Sequence, residues 1–81
     1  MRLDKYLKVS RLIKRRTVAN EACDAERVSV NGRVARASYE VKVGDIIEIR
    51  FGERSLKVRV ASVTENAGKA AAAAMYEEVR D

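Results

Sequence analysis

The chain reads as an α+β protein: two helices at the amino end, a small, mostly antiparallel sheet, and a short helix at the carboxyl end. Three features predict this. Apolar side chains recur at helical spacing in the first quarter of the 81 residues, and apolar and polar residues alternate between turn signals from Val28 to Val60. Ala70 to Ala74 are then consecutive alanines, the best helix formers. The expected division is a domain over 1–65 and an alanine-rich helix over 66–81.

Met1 to about Ile13 predicts the first helix. Leu3, Tyr6, Leu7 and Ile13 gather on one side of the wheel, and Lys5, Lys8, Arg11 and Arg15 roughly opposite. Asp4 falls in the first turn, where a carboxylate suits the helix dipole and can pair with Lys8 one turn on. A second helix is expected from Thr17, a favoured N-cap, through Val18, Ala19, Ala22 and Cys23 to about Ala25. Lys14, Arg15 and Arg16 run straight into that helix start. Three cations, a hydroxyl and free backbone N–H groups at one point describe a seat for phosphate.

Val28-Ser29-Val30 followed by Asn31-Gly32 and Arg33-Val34-Ala35 predicts a hairpin. A two-residue turn sets Arg33 against Val30 and Val34 against Ser29, so either the loop is longer or the return strand is very short. Val41, Val43 and Gly44-Asp45 lead into a clear strand from Ile46 to Phe51, and Phe51 is expected in the core. Gly52 to Ser55 turn the chain again, and Leu56, Val58 and Val60 alternate with Lys57 and Arg59. Glu48 is then placed to pair with Lys57 or Arg59 across the exposed side. Beyond the turn at 64–68, Ala72, Met75, Tyr76 and Val79 form a stripe if the carboxyl end is helical throughout.

Charge is the strongest functional signal. The chain has 17 Lys and Arg against 12 Asp and Glu, a net charge of +5. Seven of those cations lie in the first sixteen residues (Arg2, Lys5, Lys8, Arg11, Lys14, Arg15 and Arg16), opposed by Asp4 alone. The remainder is nearly balanced. One basic patch on a balanced domain is the footprint of a polyanion binder, nucleic acid first. With no His and one Cys, the usual general base and the usual zinc sets are missing, so composition argues against an enzyme, a metal site or a cofactor. Cys23 reads as a small core residue. No apolar run approaches a membrane span, and the expected setting is the cytoplasm. Four aromatics, Tyr6, Tyr39, Phe51 and Tyr76, make no paired stacking platform, which favours backbone and shape recognition of folded or duplex nucleic acid. Two other classes fit the charge: a small DNA-binding protein, and an interaction module that meets an acidic protein partner. The DNA reading suffers because the charge lies on the first helix and the turn, whereas helix-turn-helix proteins read bases with the second helix.

The ordered runs Arg2-Leu3-Asp4-Lys5-Tyr6-Leu7, Ser10-Arg11-Leu12, Lys14-Arg15-Arg16-Thr17, Val28-Ser29-Val30-Asn31-Gly32 and Val41-Lys42-Val43-Gly44-Asp45 resemble the S-four RNA-binding domain family. The resemblance spans about residues 1 to 50. It extends over nearly the whole chain for the short, free-standing members concerned with bacterial ribosome quality control, which share the run from Lys8 to Thr17, Phe51-Gly52 and an alanine-rich ending with Met75-Tyr76. It implies a non-catalytic protein that binds the large ribosomal subunit, touching large-subunit rRNA and peptidyl-tRNA. It implies work beside RqcH, which recruits alanyl-tRNA to extend stalled chains. It also assigns phosphate contacts to Arg2, Lys5, Lys8, Arg11, Lys14, Arg15 and Arg16, with Thr17 completing the seat. Asn31 and Gly32 make the turn and approach RNA beside Arg33, while Arg36 and Lys42 are weaker candidates. Asp4 is expected to orient Arg2, Lys5 or Lys8, or to meet a partner. A heat-shock-type factor that recycles free large subunits is the alternative within the family, and a monomer is the default state.

Overall fold

The computed structural model describes residues 1–65 and 68–80. The boundary expected at residue 66 lies outside them. The chain runs α1 (Leu3–Val9), α2 (Arg16–Asp24), β1 (Val28–Val30), β2 (Arg33–Val34), β3 (Ile46–Phe51), β4 (Arg54–Val60), α3 (Lys69–Ala73) and β5 (Tyr76–Glu78). The strands form one antiparallel sheet in the order β2-β1-β3-β4-β5. Burial alternates as a half-buried sheet requires: Val28 and Val30, Ile47 and Ile49, and Val58 and Val60 face a core shared with Leu3, Tyr6 and Leu7 of α1 and Ala19 and Cys23 of α2. Among the described residues no helix is long and apolar enough to cross a membrane.

The first helix is shorter than its apolar pattern suggests. It ends at Val9 because Ser10, buried at the C-cap, turns its hydroxyl back to the Leu7 carbonyl at 3.3 Å, and Arg11 takes φ 65°. The Ile13 N–H then reaches the same carbonyl at 3.0 Å, which brings Ile13 into the core from the turn. The second helix begins one residue before the expected cap. Arg15 is the N-cap and offers no side-chain cap bond, so Thr17 sits exposed within the first turn. At its other end α2 closes as a Schellman motif: the Arg27 N–H donates to the Ala22 carbonyl, the Glu26 N–H to that of Cys23, and Glu26 takes φ 60°.

The two-residue hairpin turn is real, and the return strand is very short. Ser29 pairs with Val34 and Val30 with Arg33, while Asn31 (φ 53°) and Gly32 (φ 85°) supply the two positive φ angles of a type I′ turn. Glu48 stands directly opposite Lys57, and Arg50 faces Ser55.

Two further expectations need correction. The helix at the carboxyl end covers five residues, and Tyr76 to Glu78 are a strand instead of its continuation. A short alanine helix is marginal alone, whereas β4 offers an open edge: Val60 pairs with Tyr76 and Val58 with Glu78, the Val79 N–H donates to the Lys57 carbonyl at 2.8 Å, and Arg59 pairs with Glu77. Ala72 and Met75 are buried and Tyr76 and Val79 half-buried, but of the four only Ala72 lies on the helix, so they form no helical stripe. Phe51 is not core but 48% exposed, since β3 runs past the last core pair, Ile49 and Leu56, before it turns.

The buried Tyr6 hydroxyl donates to the Met75 carbonyl at 2.8 Å, tying α1 to the residue between α3 and β5. That carbonyl also accepts from the N–H groups of Ala61 and Ser62. Tyr6→Phe therefore removes one bond without orphaning an acceptor, and is expected to cost about 1 kcal/mol in urea unfolding. Glu26→Gly relieves the positive φ and is expected to add about 0.5–1 kcal/mol in the same measurement.

Candidate nucleic-acid interface

The site is organised by one buried carboxylate. Asp4 is 3% exposed, and its oxygens accept from four groups. The Lys5 N–H donates to Oδ1 at 2.8 Å, and the Arg2 guanidinium donates through Nε at 3.2 Å. From α2, Arg16 Nε lies 3.3 Å from Oδ2, and Asn20 Nδ2 donates to the same oxygen at 3.4 Å. Two guanidinium groups thus close on one carboxylate while the side chains of Arg2 and Arg16 remain 51% and 49% exposed. Their charge is aligned inward and displayed outward.

Burial by itself works to raise the Asp4 pKa. The Arg16 and Asn20 hydrogen bonds, the Lys5 N–H and the charge of Arg16 outweigh it, and the carboxyl is held below its ordinary 3.8. This arrangement explains the start of α2. Arg16 must stand in the first turn to reach Asp4, an ion-paired contact that outweighs the roughly 1 kcal/mol preference for a Thr cap. The expected Asp4–Lys8 pair does not form. Lys8 is exposed, and the buried carboxylate already has its donors.

Around this centre the expected cations divide into groups. Arg16 and Thr17 are brought together with Asn20 and Glu21 in a shallow depression over Asp4, and Arg2 reaches the same carboxylate from before α1. Lys14 and Arg15 are exposed in the link that enters α2, beside a helix start with no side-chain cap. Lys8 and Arg11 are exposed on the α1 side, while the Lys5 ammonium donates to Glu65 at 2.9 Å and holds that carboxyl low. A second groove runs between α2 and the 34–38 loop, with Arg2, Asn20, Arg36 and Ser38 in its walls. Sequence reasoning does not single out Asn20. The available signal is its position four residues after Arg16, on the same helix face.

The hairpin residues are held apart from this centre. The Asn31 carboxamide donates to Asp45 Oδ1 at 3.1 Å and accepts from the Ile46 N–H at 2.9 Å. Asp45 Oδ2 takes the Tyr39 hydroxyl at 3.1 Å and the Lys42 N–H at 3.0 Å. Asn31 therefore locks the β1–β2 turn to the loop before β3. Gly32 and Arg33 are exposed at that turn, and Lys42 in the loop. Cys23 is buried, and desolvation together with Asp4 and Asp24 pushes its thiol up to about 11, so it stays protonated and inert. Among the described residues no cluster of His, Cys, Asp and Glu is suited to a metal.

An α1–α2 pair packed on an antiparallel sheet, with a guanidinium cluster at the helix junction, defines a small nucleic-acid-binding module. Residues 1–47 match the model of the S4 domain. The chain is 53% identical over 81 residues to the RQC P-site tRNA stabilizing factor of Streptococcus pneumoniae, covering all of this chain and 92% of that one. It is likewise 53% identical over 76 residues to the protein of that name from Bacillus subtilis, covering 94% and 88%. Among solved structures it resembles the trimeric heat shock protein 15 of Vibrio cholerae, with a TM-score of 0.89 at 29% identity over 98% of this chain and 81% of that one. The chain belongs to the S4 domain family, in the group of the RQC P-site tRNA stabilizing factors.

Asp4 links the interface to stability. Its folded pKa lies below the ordinary 3.8, so its contribution is fully present above that value and is lost as the pH falls through the folded value. Asp4→Asn is expected to cost about 1–3 kcal/mol near neutrality. In urea unfolding across a pH series, the gap between parent and variant should close below about pH 4. A gap that is independent of pH would remove the carboxylate from this role.

Proposed function

We propose that this chain is a non-catalytic RNA-binding protein of ribosome quality control. In this reading it binds the large ribosomal subunit through rRNA and peptidyl-tRNA in the cytoplasm, and supports the RqcH-dependent addition of alanine to stalled chains. The observation that carries it is the Arg2–Asp4–Arg16 cluster at the uncapped start of α2. Two half-exposed guanidinium groups, the adjoining Lys14 and Arg15, and free first-turn N–H groups make a surface for RNA phosphates. Thr17 completes it, Lys5, Lys8 and Arg11 extend it along α1, and Arg36 extends it along the groove. Arg33 and Gly32 give a separate contact at the hairpin. Asn31, whose carboxamide is committed to Asp45 and Ile46, supports that contact from within the fold.

The names of the relatives and the S4 domain support this reading. The resemblance to heat shock protein 15 favours a second reading, recycling of free large subunits that carry nascent chains. Dependence on RqcH separates the two.

The test is sedimentation of the tagged protein with ribosomal particles. Comigration with large subunits carrying peptidyl-tRNA, lost in cells without RqcH, is expected; migration at the top of the gradient in low salt would defeat the proposal. Arg16→Ala should weaken binding to large subunits more than Lys57→Ala and lower the slope of log affinity against log salt by about 1. Equal losses for the two variants would remove Arg16 from the phosphate seat.

A further inference from the structure

We propose that the β3–β4 hairpin carries a second RNA contact, in which Phe51 stacks on an unpaired base while Arg27, Arg50 and Arg54 hold the adjoining phosphates. This rests on the RNA-binding reading above and goes beyond it, because neither the seat at Asp4 nor the groove beside α2 includes these residues.

Among the described residues, Phe51 is the one aromatic ring that stands open. Tyr6 is fully buried, and Tyr39 and Tyr76 are half-buried, the first with its hydroxyl bound to Asp45. A half-exposed phenylalanine at a strand end leaves apolar surface in water that a polar residue would not. It stands directly before Gly52, whose φ of 60° at the first central position suits a type II′ turn.

Cations flank this end of the hairpin on both faces of the sheet. Arg54 is the direct partner of Phe51 across the hairpin. On the opposite face, Arg27 and Arg50 are joined by a backbone hydrogen bond of 2.9 Å and line one depression with Ala25, Glu26 and Gly52. Glu26 lies in that depression and Glu53 stands beside Arg54 in sequence, yet among the described residues none of the three arginines forms an ion pair. Elsewhere on the sheet and its tail, Arg59 and Arg80 are each paired with a glutamate. Unpaired arginines next to an open ring suit a nucleotide: the ring takes the base face and the guanidinium forks take phosphate. A base inside a duplex has no free face, so the contact selects an unpaired one. A single apolar side chain is too little for the core of a protein interface, and the cationic rim favours RNA over a neutral partner.

The site lies apart from the seat at Asp4. Arg16 opens α2 and Arg27 follows its end, with a nine-residue helix of about 13 Å between them. One RNA fold gripped at both ends would be held in a defined orientation, and the second contact would form at high effective concentration.

The chain has no Trp, so Phe51→Trp places a single reporter on the exposed ring position. Deproteinised large-subunit rRNA is titrated into this variant, with Arg16→Ala, Phe51→Leu and the Arg27→Ala/Arg50→Ala pair measured by filter binding. Expected are quenching of the introduced indole's fluorescence by the rRNA, roughly tenfold weaker binding for Phe51→Leu, and a lower salt slope for the arginine pair. Binding that is weakened by Arg16→Ala but gives no quenching and is unchanged in Phe51→Leu overturns the second contact and leaves the first intact. Absence of rRNA binding by the parent protein overturns both. Photocrosslinking from position 51 on whole large subunits separates the partner classes: crosslinks to rRNA are expected, and crosslinks confined to a ribosomal protein overturn the assignment.

Discussion

The buried carboxylate of Asp4 is the constraint on which the rest of the structure turns. A charge taken out of water must be matched by opposite charge and hydrogen bonds, or it destabilises the fold by several kcal/mol. Here the match comes from Arg2 before α1, the first backbone turn of α1, and Arg16 and Asn20 on α2. The requirement draws the two helix starts together and sets where α2 begins. It also holds two long, flexible side chains in one orientation before any ligand arrives. An unrestrained arginine loses that rotamer freedom on binding, so in the proposed phosphate seat the same interaction that closes the helix pair would lower the entropic cost of binding.

Residues within the stretch that matches the S4 domain divide by role along this line. Asp4, Asn31 and Asp45 satisfy buried or turn groups within the chain, and Leu3, Tyr6 and Leu7 fill a thin core. Arg2, Lys14, Arg15 and Arg16 are presented to solvent around them. A small domain has little core to spare, and the carboxyl-terminal segment adds to it. Met75 is fully buried, its carbonyl receives the Tyr6 hydroxyl, and β5 closes the edge of β4. That closure also covers a strand edge that would otherwise be open to another chain.

Much of this was legible in the sequence. The amino-terminal concentration of cations is a count, and the α+β class follows from two periods of apolar residues that change near Val28. The inward set Leu3, Tyr6 and Leu7, the Asn31-Gly32 turn and the Glu48–Lys57 opposition all depend on spacing within a helix or hairpin, where backbone geometry fixes which side chains meet, whereas Ile13 is buried by the turn that follows α1. Cys23 as an inert core residue was likewise readable from its surroundings on α2.

What spacing left undetermined required the tertiary structure, because it depends on contacts between residues far apart in the chain. Thr17 is the better isolated cap, but α2 starts at Arg16 because Asp4, twelve residues earlier, binds that guanidinium. Alanines predict helix to the end, yet residues 76–78 become a strand because β4 offers an unpaired edge. Phe51 carries the marks of a core residue and is left in solvent because the hairpin outruns the helices that cover its neighbours. The sequence by itself determined the class of protein, its basic end and the faces of its elements, since these are set by local geometry and composition. The tertiary structure decided which of the many arginines are aligned and which aromatic ring is exposed, since both depend on partners that only folding brings within reach.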